Sequence, residues 1–137
     1  MTDRAFKLEV ITPDRVVFSE RDIASVVVPG SEGYMGILAS HAPLMTELAI
    51  GELDFRKSDG TSDAMAVCNG FMEVYENTVT VLAESAELCG EIDVKRAEEA
   101  VHRAEERIAS HPPDIDVDRA RVALMKAMNR LKVAGRT

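Results

Sequence analysis

The 137-residue chain has few of the side chains that carry metal or covalent chemistry: two cysteines and three histidines. Cys68 and Cys89 form no CxxC pair, which suits a reducing cytosol with both thiols free. His41, His102 and His111 show no HxH, HExxH or Cys/His ligand spacing, so no metal site is expected. No apolar run approaches ~20 residues, so no segment is expected to span a membrane. The opening Met1-Thr2-Asp3-Arg4 has neither a basic-then-apolar signal pattern nor an Arg/Ser-rich transit pattern. Basic charge is also short: 16 Lys and Arg stand against 24 Asp and Glu, a net charge of −8. That disfavours a nucleic-acid partner, because phosphate binding needs clustered cations. What is present is ordinary globular composition, 46% hydrophobic and 29% charged. The length fits one domain, or one with an appendage, at about 150 residues per domain.

The charge is unevenly spread. Residues 1–85 hold 6 basic and 14 acidic side chains, and residues 86–137 hold 10 of each. Within the second part, residues 86–110 carry 4 basic and 7 acidic groups, and residues 111–137 carry 6 basic and 3 acidic groups. Boundaries are therefore expected near residues 86 and 111.

The apolar pattern changes at the same places. Phe6, Leu8 and Val10 alternate with Lys7 and Glu9, the period of a half-buried strand. Val16–Phe18, Ile23–Val28, Leu53–Phe55, Met65–Cys68, Phe71–Tyr75 and Val79–Leu82 read as further strands. Asp59-Gly60 signals a hairpin, and Asn69-Gly70 a second turn, a bulge or a bend. Many short strands with frequent turns indicate a sandwich or barrel. From residue 91 the period becomes helical: Ala97, Val101, Ala104 and Ile108 form one stripe. Asp93 is the expected N-cap, and His111-Pro112-Pro113 the stop. A second helix over about 117–133 follows, capped by Asp116 or Asp118, with Val117, Ala120, Leu124, Ala127/Met128 and Leu131 as its stripe. Two helices joined by a short loop make an antiparallel hairpin. The alanines allow close approach of the axes, with little bulky surface buried.

Four segments are candidates for function. Ser40-His41 suggests a hydrolase, but neighbours in sequence make no triad and G-x-S-x-G is absent, so the segment reads as structure or an interaction loop. Gly30-Ser31-Glu32-Gly33-Tyr34-Met35-Gly36 is glycine-rich without matching a P-loop, and it reads as tight turns. Ile92-Asp93-Val94-Lys95-Arg96-Ala97 opens a helix, where anions are favoured and Arg96 adds a fork of donors; a cap with surface charge is the simpler reading. Arg119, Arg121, Lys126, Arg130 and Lys132 form a basic tail. It is either a solvated helix face or a complement to an acidic partner.

In this order the segments resemble the ε subunit of bacterial F-type ATP synthase, over almost the whole chain. Val28-Pro29-Gly30-Ser31-Glu32-Gly33-Tyr34-Met35-Gly36-Ile37-Leu38-Ala39-Ser40-His41-Ala42-Pro43-Leu44 is similar to its G-x-x-G-I-L-P-x-H-A-P-L loop. Asn69-Gly70-Phe71-Met72-Glu73-Val74 and Asn77-Thr78-Val79-Thr80-Val81-Leu82-Ala83 resemble its G-G-F-x-E-V and N-x-V-T-V-L-A strands. Ala127-Met128-Asn129-Arg130-Leu131-Lys132-Val133-Ala134 is similar to its ending.

The resemblance implies an α+β chain: an N-terminal ten-stranded β-sandwich over residues 1–86, then a C-terminal antiparallel two-helix hairpin over 87–137, with helices at about 93–110 and 117–133. It implies a non-catalytic subunit of the central rotor stalk of a proton- or sodium-translocating ATP synthase. The sandwich would bind the γ subunit and rest on the c-ring, with Glu32, Gly33, Gly36, His41, Ala42 and Pro43 toward those partners. Membrane association would come only through the complex, peripherally, on the cytoplasmic face of the bacterial inner membrane. The helices would restrain ATP hydrolysis by the α/β head, the arm of Arg119, Arg121, Lys126, Arg130 and Lys132 meeting an acidic surface on β. A switch of this kind needs two states within a few kcal/mol of one another.

In some members of the family an I/L-D-x-x-R-A motif binds ATP and holds the compact state. Carried over, the site would use Glu87, Ile92, Asp93, Arg96, Ala97, Arg103, Lys126 and Arg130. Lys126 stands where the tightest binders have Arg, and Lys lacks the bidentate phosphate contact; His102 and Cys89-Gly90 also depart from the pattern. No cofactor is required, and regulatory ATP binding is expected to be weak or absent. Ala39 stands where the family often has Pro, which loosens the loop. Two other readings compete: a small enzyme using His41 with Glu32 or Ser40, and a free-standing adaptor with a helical interaction arm.

Overall fold

The computed structural model describes residues 4–110, 113 and 116–135. Seven strands come first: β1 (Phe6–Ile11), β2 (Val16–Gly30), β3 (Gly33–Leu38), β4 (Leu44–Leu48), β5 (Gly51–Lys57), β6 (Ser62–Tyr75) and β7 (Thr78–Leu88). A single 3-10 turn, Cys89–Glu91, leads to α1 (Val94–Ser110) and α2 (Val117–Ala134). The chain divides into two compact units between Leu88 and Cys89, two residues beyond the expected boundary because β7 runs on to Leu88.

Among the described residues the sandwich is built from seven continuous strands, not ten. The difference lies in β2, β6 and β7, which are long enough to bend and serve both layers. One layer holds β4, the Gly70–Tyr75 half of β6, the first half of β7, β1 and the first half of β2. The other holds β3, the second half of β2, β5, the first half of β6 and the end of β7. β1 pairs antiparallel with β2 and parallel with β7. The bend in β2 follows Asp22, at φ 65, with a register shift between Ile23 and Ser25. The bend in β6 falls at Asn69 and Gly70, at φ 48 and 128, so this dipeptide turns a strand without ending it. Gly70 admits no side chain, since a Cβ there would lie 2.0 Å from the Leu82 carbonyl oxygen. The Asp59-Gly60 hairpin forms as read, over residues 58–61, and the Lys57 amide donates to the Thr61 carbonyl at 2.8 Å.

Alternation fills the interior. Phe6, Leu8 and Val10 are buried along β1, and Ile23, Val26, Val28, Ile37, Leu48, Leu53, Met65, Val67, Met72, Val79 and Val81 join them. Each such side chain contributes about 1.5–3 kcal/mol when fully buried. The glycine-rich segment is a hairpin and strand, contrary to the expectation of a loop of tight turns. Gly30 pairs with Gly33 across Ser31-Glu32, and β3 runs along β2 as far as Ser25–Leu38. Both faces of β3 are apolar, Met35 and Ile37 inward and Tyr34 and Leu38 outward, so no polar alternation marks it as a strand.

The helical unit is ordered by its caps. Asp93 Oδ1 accepts from the Arg96 amide at 3.1 Å, and Asp116 Oδ1 accepts from the Arg119 amide at 3.2 Å. Asp116, not Asp118, is therefore the cap of α2. α2 lies against α1 and against the 3-10 turn that precedes it, so the helices are antiparallel, with the start of α1 and the end of α2 together. Ala97 and Ala104 on α1 and Ala120, Ala127 and Val133 on α2 are buried. The expected stripe errs at Met128, which is 56% exposed, and omits Val133, which is fully buried. The expected stop at His111-Pro112 lies outside the described residues; α1 ends at Ser110.

Candidate functional site

Two surfaces carry the residues singled out in the sequence. The first surrounds β3. Glu32 is exposed in the β2–β3 turn, where the Ser31 amide donates to the Glu47 carbonyl at 2.9 Å. An open groove of about 510 Å³ runs between this turn and β4, lined by Glu32, Tyr34, Met35, Met45 and Glu47 among others. Gly33 and Gly36 lie on β3, and His41, Ala42 and Pro43 are exposed in the loop that follows it. Glu32 and His41 thus stand at opposite ends of β3, roughly 17 Å apart at ~3.4 Å per residue. The structure spreads the set along one strand and does not gather it into a cluster. A Glu32–His41 catalytic pair is excluded by that separation. His41 Nδ1 lies 2.7 Å from the Ala42 carbonyl oxygen, which orients the ring when Nδ1 carries the proton.

The residue that fixes the His41 loop was not singled out from the sequence. Glu76 and Asn77, at φ 46 and 58, form the two-residue turn between Tyr75 and Thr78, which close it as a pair. Two left-handed central residues define a type I′ hairpin, and Asn tolerates that conformation better than most residues. The Asn77 side chain then reaches both ways. Its Oδ1 accepts from the Ser40 amide at 2.8 Å and its Nδ2 donates to the Ala5 carbonyl at 2.7 Å. Ser40 is itself held at φ 62. One turn therefore ties the His41 loop to the approach of β1.

The outer face of β4, β6, β7 and β1 is a further surface. Glu47, Phe71, Leu82 and Ile11 lie in one row across it, by register. Phe71, Leu82, Met45 and Tyr75 are more than half exposed, and acidic Glu47 and Glu84 edge a groove beside Phe71 and Leu82. The signal for this surface was present in Phe71 and Leu82, which sit at outward positions of strands whose inward positions are also apolar.

The helical unit holds the remaining residues. Ile92 and Ala97 are buried, and Asp93 and Arg96 are exposed at the start of α1. Arg103 is exposed further along α1, and Lys126 and Arg130 are half-buried on α2. The structure brings Ile92, Asp93, Arg96 and Ala97 together at the end of the hairpin toward which α2 returns. Glu87 belongs to β7 in the sandwich unit. On α2, Arg119, Arg121 and Lys132 are exposed beside Val122, Met125 and Met128, which are also exposed. The Arg121 guanidinium approaches Asp118 at 3.5 Å, a surface pair worth ~0–1 kcal/mol. No helix among the described residues is long and apolar enough to cross a membrane.

Comparison with known proteins accounts for both units. The β-sandwich domain of the ATP synthase delta/epsilon chain matches residues 5–89, and the long α-helix domain of the same chain matches residues 91–135. The ATP synthase epsilon chain of Pelotomaculum thermopropionicum is 52% identical over 135 residues, covering 98% of this chain and 99% of its own. That of Desulforamulus reducens is 48% identical over 128 residues, covering 93% and 96%. A chain in the cryo-EM structure of the Euglena gracilis mitochondrial ATP synthase shares the fold, with a TM-score of 0.80 and 24% identity, over 94% of this chain and 81% of that one. With both domains of one family matched in order along nearly its full length, the chain belongs to the ATP synthase delta/epsilon family, as a non-catalytic epsilon-type subunit of the F-type central stalk.

Proposed function

We propose that the sandwich docks on the γ subunit and the c-ring, and that the helical unit is an arm restraining ATP hydrolysis by the α/β head. The observation that carries the docking half is the fixed edge around β3: a braced turn with Glu32, a braced loop with His41, Ala42 and Pro43, and exposed apolar side chains between them. The row of Phe71 and Leu82 offers a second seat for a rotor partner. On this reading the subunit of a bacterium lies peripherally, on the cytoplasmic face of the inner membrane and through the complex alone.

The arm reading rests on α2. Its Arg119, Arg121 and Lys132 stand in solvent beside exposed Val122, Met125 and Met128, a combination suited to a partner with both acidic and apolar surface. Replacing Arg119, Arg121 and Lys132 with Glu in the assembled complex is expected to raise ATP hydrolysis. The gain should be larger at low salt, because screening already weakens exposed pairs. Hydrolysis identical to that of the parent at both salt levels would remove the electrostatic part of the reading.

ATP is at most a weak ligand of this chain. Arg96, Arg103, Lys126 and Arg130 supply cations, but the start of α1 is already capped by the Asp93 carboxylate. A phosphate would meet that negative charge where a helix N-terminus otherwise favours anions. Calorimetry on the purified subunit is expected to show no micromolar ATP binding.

A further inference from the structure

A free edge strand pairs with whatever extended backbone it meets unless something blunts it, and natural edges are blunted by charge, proline, bulges or a covering element. β4, the start of β2 and the end of β7 lie at the outer ends of the two layers, and each carries such protection. β4 has Glu47 and follows Pro43, the start of β2 has Glu20, and the end of β7 has Glu84 and Glu87. β3 reads Gly33-Tyr34-Met35-Gly36-Ile37-Leu38, with no charge and no proline. Its partner among the described residues is β2, on one side.

The register shows which groups are left over. In the β2–β3 hairpin the closing pair Gly30–Gly33 and the alternate pairs Val28–Met35 and Val26–Ile37 exchange backbone bonds, because bonded and non-bonded pairs alternate in an antiparallel ladder. The same alternation turns the amides and carbonyls of Tyr34, Gly36 and Leu38 away from β2. Contacts on the other side of β2 agree: the Pro29 carbonyl, opposite Tyr34, accepts from Ala49 at 2.9 Å. Tyr34 and Leu38 are also 59% and 66% exposed.

We propose that this edge pairs with the same edge of a second copy, forming an antiparallel two-fold dimer centred on Gly36. With Gly36 opposite Gly36, Tyr34 of one copy lies opposite Leu38 of the other. Every outward-facing backbone group then meets an outward-facing one. The Tyr34 ring leans across β2, its hydroxyl accepting from the Glu52 amide at 3.4 Å, and its exposed face is what meets Leu38 of the other copy, an aromatic–aliphatic pair. Gly36 has no neighbour within 4 Å of where its Cβ would be, so the centre is unobstructed. The paired strands Gly33–Leu38 carry no charged side chain, so no like charges face one another along them. The edge is self-complementary in backbone, apolar surface and charge, and that selects a second copy as its occupant. Two six-residue strands bury less than the ~1,200 Å² of a stable interface, so the dimer is a weak, concentration-dependent one. On the rotor reading proposed above, pairing occupies the strand that lies between Glu32 and His41, and a free subunit must separate before it docks.

Amide hydrogen exchange and sedimentation of the purified full-length subunit, from micromolar to millimolar concentration, test this without any rotor partner. Sedimentation is expected to shift from monomer toward dimer. Protection is expected to rise with concentration at the amides of Tyr34, Gly36 and Leu38, and to stay constant at Met35 and Ile37, which are bonded to β2 in the monomer. Leu38→Lys, at a position already in solvent, is expected to abolish both changes and leave the fold intact, whereas Val16→Lys, exposed at the start of β2 in the other layer, leaves them in place. A monomer at every concentration, a dimer that survives Leu38→Lys, or protection that does not alternate along β3 would each overturn the proposal.

Discussion

Replacing Asn77 with Ala removes three things at once. The Oδ1 acceptor of the Ser40 amide and the Nδ2 donor to the Ala5 carbonyl are lost, at ~0.5–1.5 kcal/mol each. Ala must also adopt the φ of 58 that Asn77 holds, at ~1–2 kcal/mol for a side chain without the local bonding of Asn. The Ser40 end is exposed, which puts its share at the low end, so the expected loss is about 2–4 kcal/mol. In a sandwich of this size that lowers the melting temperature by roughly 8–30 °C. The chain has two tyrosines and no tryptophan, and Tyr34 and Tyr75 both lie in the sandwich. Their near-ultraviolet signal therefore reports urea unfolding of that unit by itself. The Ser40 amide is expected to exchange faster in the variant. A change below ~0.5 kcal/mol, with Ser40 protection unaltered, would refute the claim that Asn77 braces the His41 loop, since surface substitutions without a structural role fall within that range.

Gly70→Ala is expected to cost more than about 3 kcal/mol or to prevent folding, because a left-handed φ combines with a Cβ placed 2.0 Å from the Leu82 carbonyl oxygen; expression and urea unfolding check it. Ala104→Leu is expected to destabilise the helical unit by about 1–3 kcal/mol through overpacking, with helical circular dichroism changing and the tyrosine signal unchanged. Asp59 sits below the usual carboxylate range, first because the Thr61 hydroxyl donates to it and then because the Thr61 amide does. Thr61→Val should therefore raise the Asp59 pKa toward 3.8, as read by NMR titration. A depressed carboxylate stabilises the fold above its unfolded pKa, and that stabilisation disappears as pH falls through the folded pKa. Parent and variant should therefore differ at neutral pH and converge in acid.

The helices were legible because each is written locally: Asp93 and Asp116 precede their apolar stripes and cap them by short-range bonds. Strand positions were legible where one face is polar, as in β1. Compact Val- and Met-rich runs such as Met65–Cys68 were legible too, but β3 was missed because its glycines read as turns and Tyr34 and Leu38 point to solvent yet look like core. The ten strands came with the resemblance; the residues alone gave β2 and β6 as two segments each, and Asp22 and Asn69-Gly70 bend those strands without ending them. Glu32 and His41 were found by their motif, but not their separation along β3. Asn77 lay out of reach because its partners Ser40 and Ala5 are 37 and 72 residues away in sequence, and only the folded sandwich brings them to it.

On the proposed function, the sandwich assembles with the rotor while the helices restrain hydrolysis. The most direct measurement compares ATP hydrolysis by complexes built with the full chain and with a chain ending at Gly90. The shortened subunit is expected still to co-purify with γ, and hydrolysis is expected to rise. Hydrolysis unchanged by the truncation, or γ failing to retain the shortened subunit, would contradict it.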